Sequence, residues 1–236
     1  MKTIIIYGLK RSGNHFLISS ILQQFSNYVH LNDINLSFND YLKYINIEKN
    51  KERIDCKWTG FKDVECVLMS LENKTIDNTE LDHFRKIDDC YFLILLRCPY
   101  SHFSSVWEIY KKNESRLLRI VKLWKIYAEH FINNSDCGFI KVLYDEFTVN
   151  EKYRTNVIKK LGIDNINIDV NKYIQCQKSS FNKRRSKIQY KKQVYRTLEN
   201  CVFKDDEQFV KLVNDKEINN LWDLLKKSDI LSVSIC

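Results

Sequence analysis

The stretch that most constrains this chain runs from Ile4 to Leu22, IIIYGLKRSGNHFLISSIL: an apolar run, a short loop holding two glycines, then an amphipathic segment. Ile4, Ile5, Ile6 and Tyr7 are β-branched or aromatic with no polar interruption, the pattern of a central strand covered on both faces. Leu17, Ile18, Ile21 and Leu22 recur at helical spacing, with Ser19, Ser20, Gln23 and Gln24 on the polar side. Between them, Gly8 and Gly13 bracket Leu9, Lys10, Arg11 and Ser12. Glycine lets backbone N–H groups turn inward and approach a ligand, and the helix N-terminus that follows adds partial positive charge. Two of the five glycines in the chain lie in this loop beside two cations, so the expected order is strand, anion-binding loop, helix.

Further along, loop and a short helix over about Asn39 to Ile47 are expected, then a second strand over Arg53 to Lys62 and a helix over Leu81 to Ile87. Tyr91 to Leu96 is another fully apolar run and reads as a central strand. It ends in Arg97-Cys98-Pro99, where the only proline of the protein stands at a helix start that does not need its missing N–H. That helix is expected to reach Lys112 with Phe103, Val106, Trp107 and Tyr110 on one face. A longer one over Ser115 to Asn133 carries Leu118, Val121, Leu123, Trp124, Tyr127 and Phe131 as its stripe. Gly138 to Tyr144 is a third apolar strand, closed by Asp145-Glu146-Phe147, and Lys152 to Leu161 forms a helix ended by a left-handed Gly162. Beyond Asn165 strand signals fade, Lys178 to Lys187 is a basic run with one aromatic, and Asp206 to Lys227 reads as helical. Strands alternating with helices imply an α/β fold, a single domain with a central, mainly parallel sheet flanked by helices and a helical C-terminal part. Ligands of such sheets bind beyond the carboxyl ends of the strands, where both the glycine loop and Arg97 fall.

The function classes narrow on charge and cysteine use. A net charge of +8 favours an anionic ligand: nucleic acid, phosphate or sulfate groups, or an acidic membrane surface. No run has the length of a transmembrane helix and no signal-peptide pattern opens the chain, so no membrane partner and a cytoplasmic location are expected. The eight cysteines, at 56, 66, 90, 98, 137, 176, 201 and 236, form no close pairs, which argues against a zinc knuckle or a CxxC redox site. They are expected to be free thiols, several of them on apolar faces such as Cys90 and Cys201.

Gly8 and Gly13 have the separation of a Walker loop, but Asn14 and His15 stand where the phosphate-gripping lysine and the magnesium-holding hydroxyl belong. Chemistry that depends on that metal is therefore disfavoured. Arg11-Ser12-Gly13-Asn14-His15 instead resembles the Lys-x-Gly-Thr-Thr loop of the sulfotransferases that use 3′-phosphoadenosine 5′-phosphosulfate (PAPS). Arg97 at a strand end, with Ser105 eight residues later, is similar to that family's grip on the 3′-phosphate, and Pro99 also fits its pattern. Val142 to Phe147 followed by Lys160-Leu161-Gly162, and Ser179-Ser180-Phe181 with Lys183, Arg184 and Arg185, look like later family elements.

The resemblance implies a P-loop NTPase-like sulfotransferase fold and an enzyme that transfers a sulfuryl group from PAPS to an acceptor hydroxyl or amine, releasing adenosine 3′,5′-bisphosphate. PAPS would be the co-substrate, no metal would be required, and the acceptor would be a small molecule or carbohydrate. Lys10, Arg11, Ser12, Gly13, Asn14 and His15, with Arg97, Ser105, Ser180, Phe181, Lys183 and Arg184, would bind the cofactor. Loop N–H groups and Arg11 would stabilise charge on the departing oxygen. For the base, His15 and Asp63 rank equally, with Lys62 as a sulfate contact; Asp63 and Glu65 follow the second strand, whose end carries the base in many relatives. His30, His83, His102 and His130 are expected to be structural or surface residues. Tyr28, His30, Tyr41, Tyr44, Trp58 and Trp107 are open as acceptor platform or core. The rival readings are a divergent nucleotide kinase and a non-catalytic polyanion or nucleic-acid module resting on Lys178 to Lys192, nucleic acid being the less expected partner.

Overall fold

A computed structural model describes residues 1–32, 54–55, 64–76, 78–133, 138–169 and 197–227. The expected helix at Asn39 to Ile47, most of the strand at Arg53 to Lys62, and Lys62, Asp63, Ser180, Phe181, Lys183 and Arg184 lie outside them.

Six strands form one sheet: β1 (Lys2–Gly8), β2 (Tyr28–Asn32), β3 (Ile54–Asp55), β4 (Cys66–Glu72), β5 (Cys90–Leu96) and β6 (Phe139–Leu143), in the order β3-β2-β4-β1-β5-β6. All neighbours are parallel except β2 and β3, which pair antiparallel at the edge. Helices α1 (Asn14–Leu22), α2 (Asn78–Phe84), α3 (Pro99–Ile109), α4 (Glu114–Asn133), α5 (Tyr144–Val149), α6 (Glu151–Lys159), α7 (Glu207–Val213) and α8 (Lys216–Lys227) accompany it.

The two faces follow from strand alternation. Ile4 and Ile6 of β1, Cys66 and Leu68 of β4 and Leu93 and Leu95 of β5 pack with Leu17, Ile18 and Ile21 of α1 and with Phe147 and Ile158 of α5 and α6. Ile5, Tyr7, Val67, Met69, Phe92 and Ile94 turn to the other layer, which holds Phe103, Trp107, Trp124, Tyr127, Phe209 and Trp222. Burial on both faces is why β1 and β5 are unbroken apolar runs.

Several expectations are corrected. Tyr28–Asn32 is a strand, not loop: Val29 and Leu31 enter the core, while the buried His30 disguises the alternation. Cys66–Glu72, which carries no strand expectation, lies next to β1; its Met, Ser and Glu lack β-propensity, and full burial between β1 and β2 holds it extended. Glu65 directly precedes β4: its carbonyl accepts from Lys2 N–H at 2.8 Å and its carboxylate from Ser26 N–H at 2.7 Å, at the amino end of the sheet. Leu118 is 40% exposed and Leu117 takes its place in the α4 stripe. Asp145 opens a helix where a turn is expected. The C-terminal helical region is two helices, each started by an aspartate that accepts backbone N–H bonds: Asp206 from Phe209, and Asp215 from Glu217 and Ile218. Gly162 has the expected left-handed φ of 66°. Cys201 is buried as expected, Cys90 only partly, and both are free thiols along with Cys66 and Cys98. Among the described residues no helix is long and apolar enough to cross a membrane.

The chain leaves β1 toward β2 and β4 on one side, then crosses to β5 and β6 on the other. Beyond the carboxyl ends of β1 and β5 the connections run to opposite sides of the sheet, the place where ligands of such sheets bind. The loop after Gly8 and the turn at Arg97 both stand there.

Candidate functional site

The loop Leu9–Gly13 is held by its carbonyl groups. Gly8 O accepts from Asn73 N–H at 3.0 Å, and Leu9 O accepts from Ser12 N–H at 3.0 Å, Ser12 Oγ at 2.6 Å and Asn14 Nδ2 at 3.2 Å. Lys10 O meets His102 Nε2 at 2.7 Å, Arg11 O accepts from Arg97 Nη1 at 3.1 Å, and Gly13 O accepts from Phe16 N–H at 3.0 Å. No hydrogen bond of the described residues engages the amides of Gly13 or Asn14. Carbonyl oxygens that would repel an anion are thus tied back, while N–H groups at the helix start remain available, the arrangement of an anion-binding nest.

Two glycines make this path sterically possible. A Cβ on Gly8 would collide with the side chain of Asn14, and Gly13, at φ +100°, lies directly against the ring of Tyr144. Arg11 itself adopts a left-handed φ of 71°. For a non-glycine residue that conformation costs about 1–2 kcal/mol, and the Arg97 and Ser105 contacts to Arg11 help hold it.

The second half of the site comes from β5 and α3. Arg97 lies over the ring of Tyr144, its guanidinium carbon 5.1 Å from the centroid, and its carbonyl accepts from Trp124 Nε1 at 2.9 Å. Ser105, two turns into α3, accepts from Arg11 Nε at 3.3 Å. Asp145, 1% exposed, accepts from the Cys98 amide at 2.7 Å and so pins the turn that carries Arg97. Burial raises the Asp145 pKa, opposed by the Cys98 N–H and by the Arg97 charge. The fold therefore brings Arg11, Arg97 and Ser105 together from positions 94 residues apart at the extreme. Guanidinium groups gathered this way suit a phosphate or sulfate, which each can meet with charge-assisted hydrogen bonds.

The histidines divide by burial. His102 is fully buried and burial lowers its pKa to about 3, with the Arg97 and Arg11 charges adding to the shift against the Lys10 carbonyl. The neutral ring must donate through Nε2–H to reach a carbonyl, which leaves Nδ1 unprotonated. His30, also buried, is lowered to about 3 by burial and by His15. It lies 3.4 Å from Ser70 Oγ, which donates to Asn32 Oδ1 at 3.0 Å. His15 is partly exposed at the start of α1. Burial lowers its pKa, Glu72 opposes, and Arg11 lowers it further.

Of the residues assigned from sequence, Lys10, Arg11 and Gly13 stand in the loop and His15 in the first turn of α1. The side chains of Ser12 and Asn14 do not face a ligand: both are buried and hold the loop from behind, Asn14 Nδ2 donating also to Glu72 Oε1 at 2.9 Å. Of the backbone N–H groups at those two positions, that of Ser12 is spent on Leu9 O and that of Asn14 is left to serve an anion. Trp107 is core, fully buried with Nε1 donating to Asp206, which removes it from the acceptor platform. Glu72, Asn73, His102 and Asp145 carry no site assignment from sequence. Glu72 and Asn73 are hidden because β4 is, and His102 and Asp145 because burial and partners, not residue type, distinguish them.

No family model matches the sequence, and no curated protein does. Among solved structures, the chain is similar to mouse sulfotransferase SULT7A1 complexed with PAP, at TM-score 0.49 and 14% identity over 96% of this chain and 89% of that one. It is similar also to the sulfotransferase domain of the Synechococcus PCC 7002 olefin synthase, at TM-score 0.44 and 15% identity over 70% and 74%.

Proposed function

We propose that this protein is a PAPS-dependent sulfotransferase that moves a sulfuryl group to a hydroxyl or amine of a small-molecule or carbohydrate acceptor and releases adenosine 3′,5′-bisphosphate. The observation that carries the reading is the convergence of two sets of groups beyond the carboxyl ends of β1 and β5: the loop with its carbonyls tied back, and Arg97 with Ser105 on the neighbouring strand and helix. A donor with phosphate groups at both ends of a nucleoside suits two such grips. The loop amides and Arg11 would take up charge as it develops on the 5′-phosphate oxygen. At the position of a Walker lysine, Asn14 is buried and spent on Leu9 and Glu72, which weighs against a kinase.

Calorimetry with adenosine 3′,5′-bisphosphate tests the reading, beside release of label from radiolabelled PAPS. Binding without added metal is expected, and no binding to folded protein would sink it. Arg97→Ala is expected to weaken the bisphosphate by about 10- to 100-fold, the worth of a charge-assisted hydrogen bond. Ser105→Ala should weaken it by about fivefold, that of a neutral one. Arg11→Ala should chiefly slow transfer. Unchanged affinity in both of the first two variants removes the 3′-phosphate assignment. Tight, magnesium-dependent ATP turnover would favour the kinase instead.

A further inference from the structure

His102 and Ser105 turn one side of α3 to the glycine loop. Tyr100 and Ser104 turn another side to α8 and Cys201, and there the turn Leu198–Asn200, α7 and α8 border a cavity of about 560 Å3. The most buried residue of its lining is Tyr100, 5% exposed, whose hydroxyl donates to Asn219 Oδ1. Burial pushes that phenol up to about 12, with Cys98 and Asp223 adding to the shift, so it stays protonated and keeps Asn219 Oδ1 engaged. The Asn219 amide hydrogens are left for another acceptor. Leu198 and Val210 supply an apolar wall, and Glu199, Lys204 and Asp205 stand exposed at the rim.

The charges at this rim are left over where their neighbours pair. Asp206 meets Lys112 at 2.8 Å, Asp215 meets Lys125 at 2.7 Å and Asp223 meets Lys226 at 2.7 Å. Among the described residues the side chains of Glu199, Lys204 and Asp205 make no hydrogen bond or ion pair, and Lys204 does not reach Asp205 although the two are adjacent in sequence. Two carboxylates and one ammonium group thus border one cavity with their charges uncompensated by the fold. A basic α-amino acid matches that set charge for charge: one carboxylate and two cationic groups, joined by a methylene chain that an apolar wall can cover.

We propose that this cavity is a second ligand site, one that takes a free basic amino acid such as lysine or ornithine. The ligand carboxylate meets Lys204 and the amide hydrogens of Asn219, its two ammonium groups meet Glu199 and Asp205, and its methylene chain lies against Leu198 and Val210. No residue of the glycine loop and neither Arg97 nor Ser105 lines the cavity, so the site stands apart from the proposed nucleotide site and does not depend on the sulfotransferase reading.

The test is a nitrogen-15 NMR titration of the full chain with L-lysine and L-ornithine. Three analogues each delete one group of lysine: cadaverine lacks the carboxylate, norleucine the side-chain ammonium, and Nα-acetyl-lysine the α-ammonium. Lysine and ornithine should give saturable shifts at the side-chain amides of Asn214 and Asn219, and each analogue should bind about two- to fivefold more weakly, the worth of an exposed ion pair. Lys204→Ala should bind lysine and cadaverine equally. The double variant Glu199→Gln, Asp205→Asn should lose the preference for lysine over the other two analogues. All three substituted side chains are exposed, so both proteins should unfold at the wild-type urea concentration. The absence of a saturable shift with lysine and ornithine overturns the site, as do shifts centred on the glycine loop. Analogues that bind as tightly as lysine overturn the ligand class, and a Lys204→Ala protein that still prefers lysine to cadaverine overturns the placement of the carboxylate.

Discussion

Gly13→Ala is expected to abolish measurable binding of adenosine 3′,5′-bisphosphate and to lower stability by about 2–5 kcal/mol, the sum of a left-handed backbone penalty and local overpacking. Both causes act at one atom. The φ of +100° disfavours any L side chain, and the added methyl group would occupy the space of the Tyr144 ring. Tyr144 cannot yield freely, because it is buried between the loop and the Arg97 guanidinium. The strain must therefore move Gly13 and the adjoining amides, which are the groups assigned to the anion. Gly138 supplies the control: it shares a positive φ, of 68°, but a methyl group added to it would meet nothing within 4 Å among the described residues. Gly138→Ala should cost only the backbone penalty, about 1–2 kcal/mol, and leave binding intact. Urea unfolding and calorimetry on the two variants separate the effects, and bisphosphate binding by Gly13→Ala within twofold of wild type would show that the loop does not need this path.

Acid should destabilise the fold well above the range in which carboxylates titrate. His30 and His102 have native pKa values of about 3 against 6.5 for the unfolded chain, because burial disfavours the imidazolium. Below about pH 6.5 the unfolded state binds protons that the native state refuses, so stability falls as pH falls. The contribution is fully present above the unfolded value and is lost progressively toward the native one. At pH 4.5 each histidine would have cost about 2.7 kcal/mol, two pH units at 1.36 kcal/mol each. His15 acts in the same direction, while Asp145, raised by burial, takes up its proton in the native state and opposes the loss near the acid end. Urea unfolding at pH 7.0 and 4.5 measures the difference. His102→Gln keeps a donor for the Lys10 carbonyl, so it should remove about half of the pH dependence without removing the loop contact. An unaltered pH slope in both His102→Gln and His30→Gln would refute burial of these two rings as the cause.

Legibility in the sequence followed the range of the interactions. The segment from Ile4 to Leu22 is read correctly because its strand, turn and helix are each specified by neighbours a few residues apart. The same holds for β5, for the helix that begins at Pro99 and for the left-handed Gly162. β2 and β4 escape such a reading because they are strands by placement. Their His, Asn, Met, Ser and Glu residues are extended only because β1 and one another supply the hydrogen bonds. The site divides in the same way. Arg11, Arg97 and Ser105 are named by resemblance to a family pattern, but neither that pattern nor spacing can tell that Ser12 and Asn14 turn inward, since a hydroxyl or amide serves a ligand and a carbonyl equally well.

By itself, then, the sequence determined that a glycine loop joins a buried strand to a helix and that cations gather at strand ends; local periodicity and φ freedom are properties of short stretches. Only the tertiary structure decided which loop carbonyls are tied back, by His102 from α3 and Arg97 from β5, and that Glu72 rather than Glu65 stands at the carboxyl end of the sheet. Those depend on strand order and on contacts across 58 to 92 residues of chain, where burial, not residue type, sets what each polar group can do.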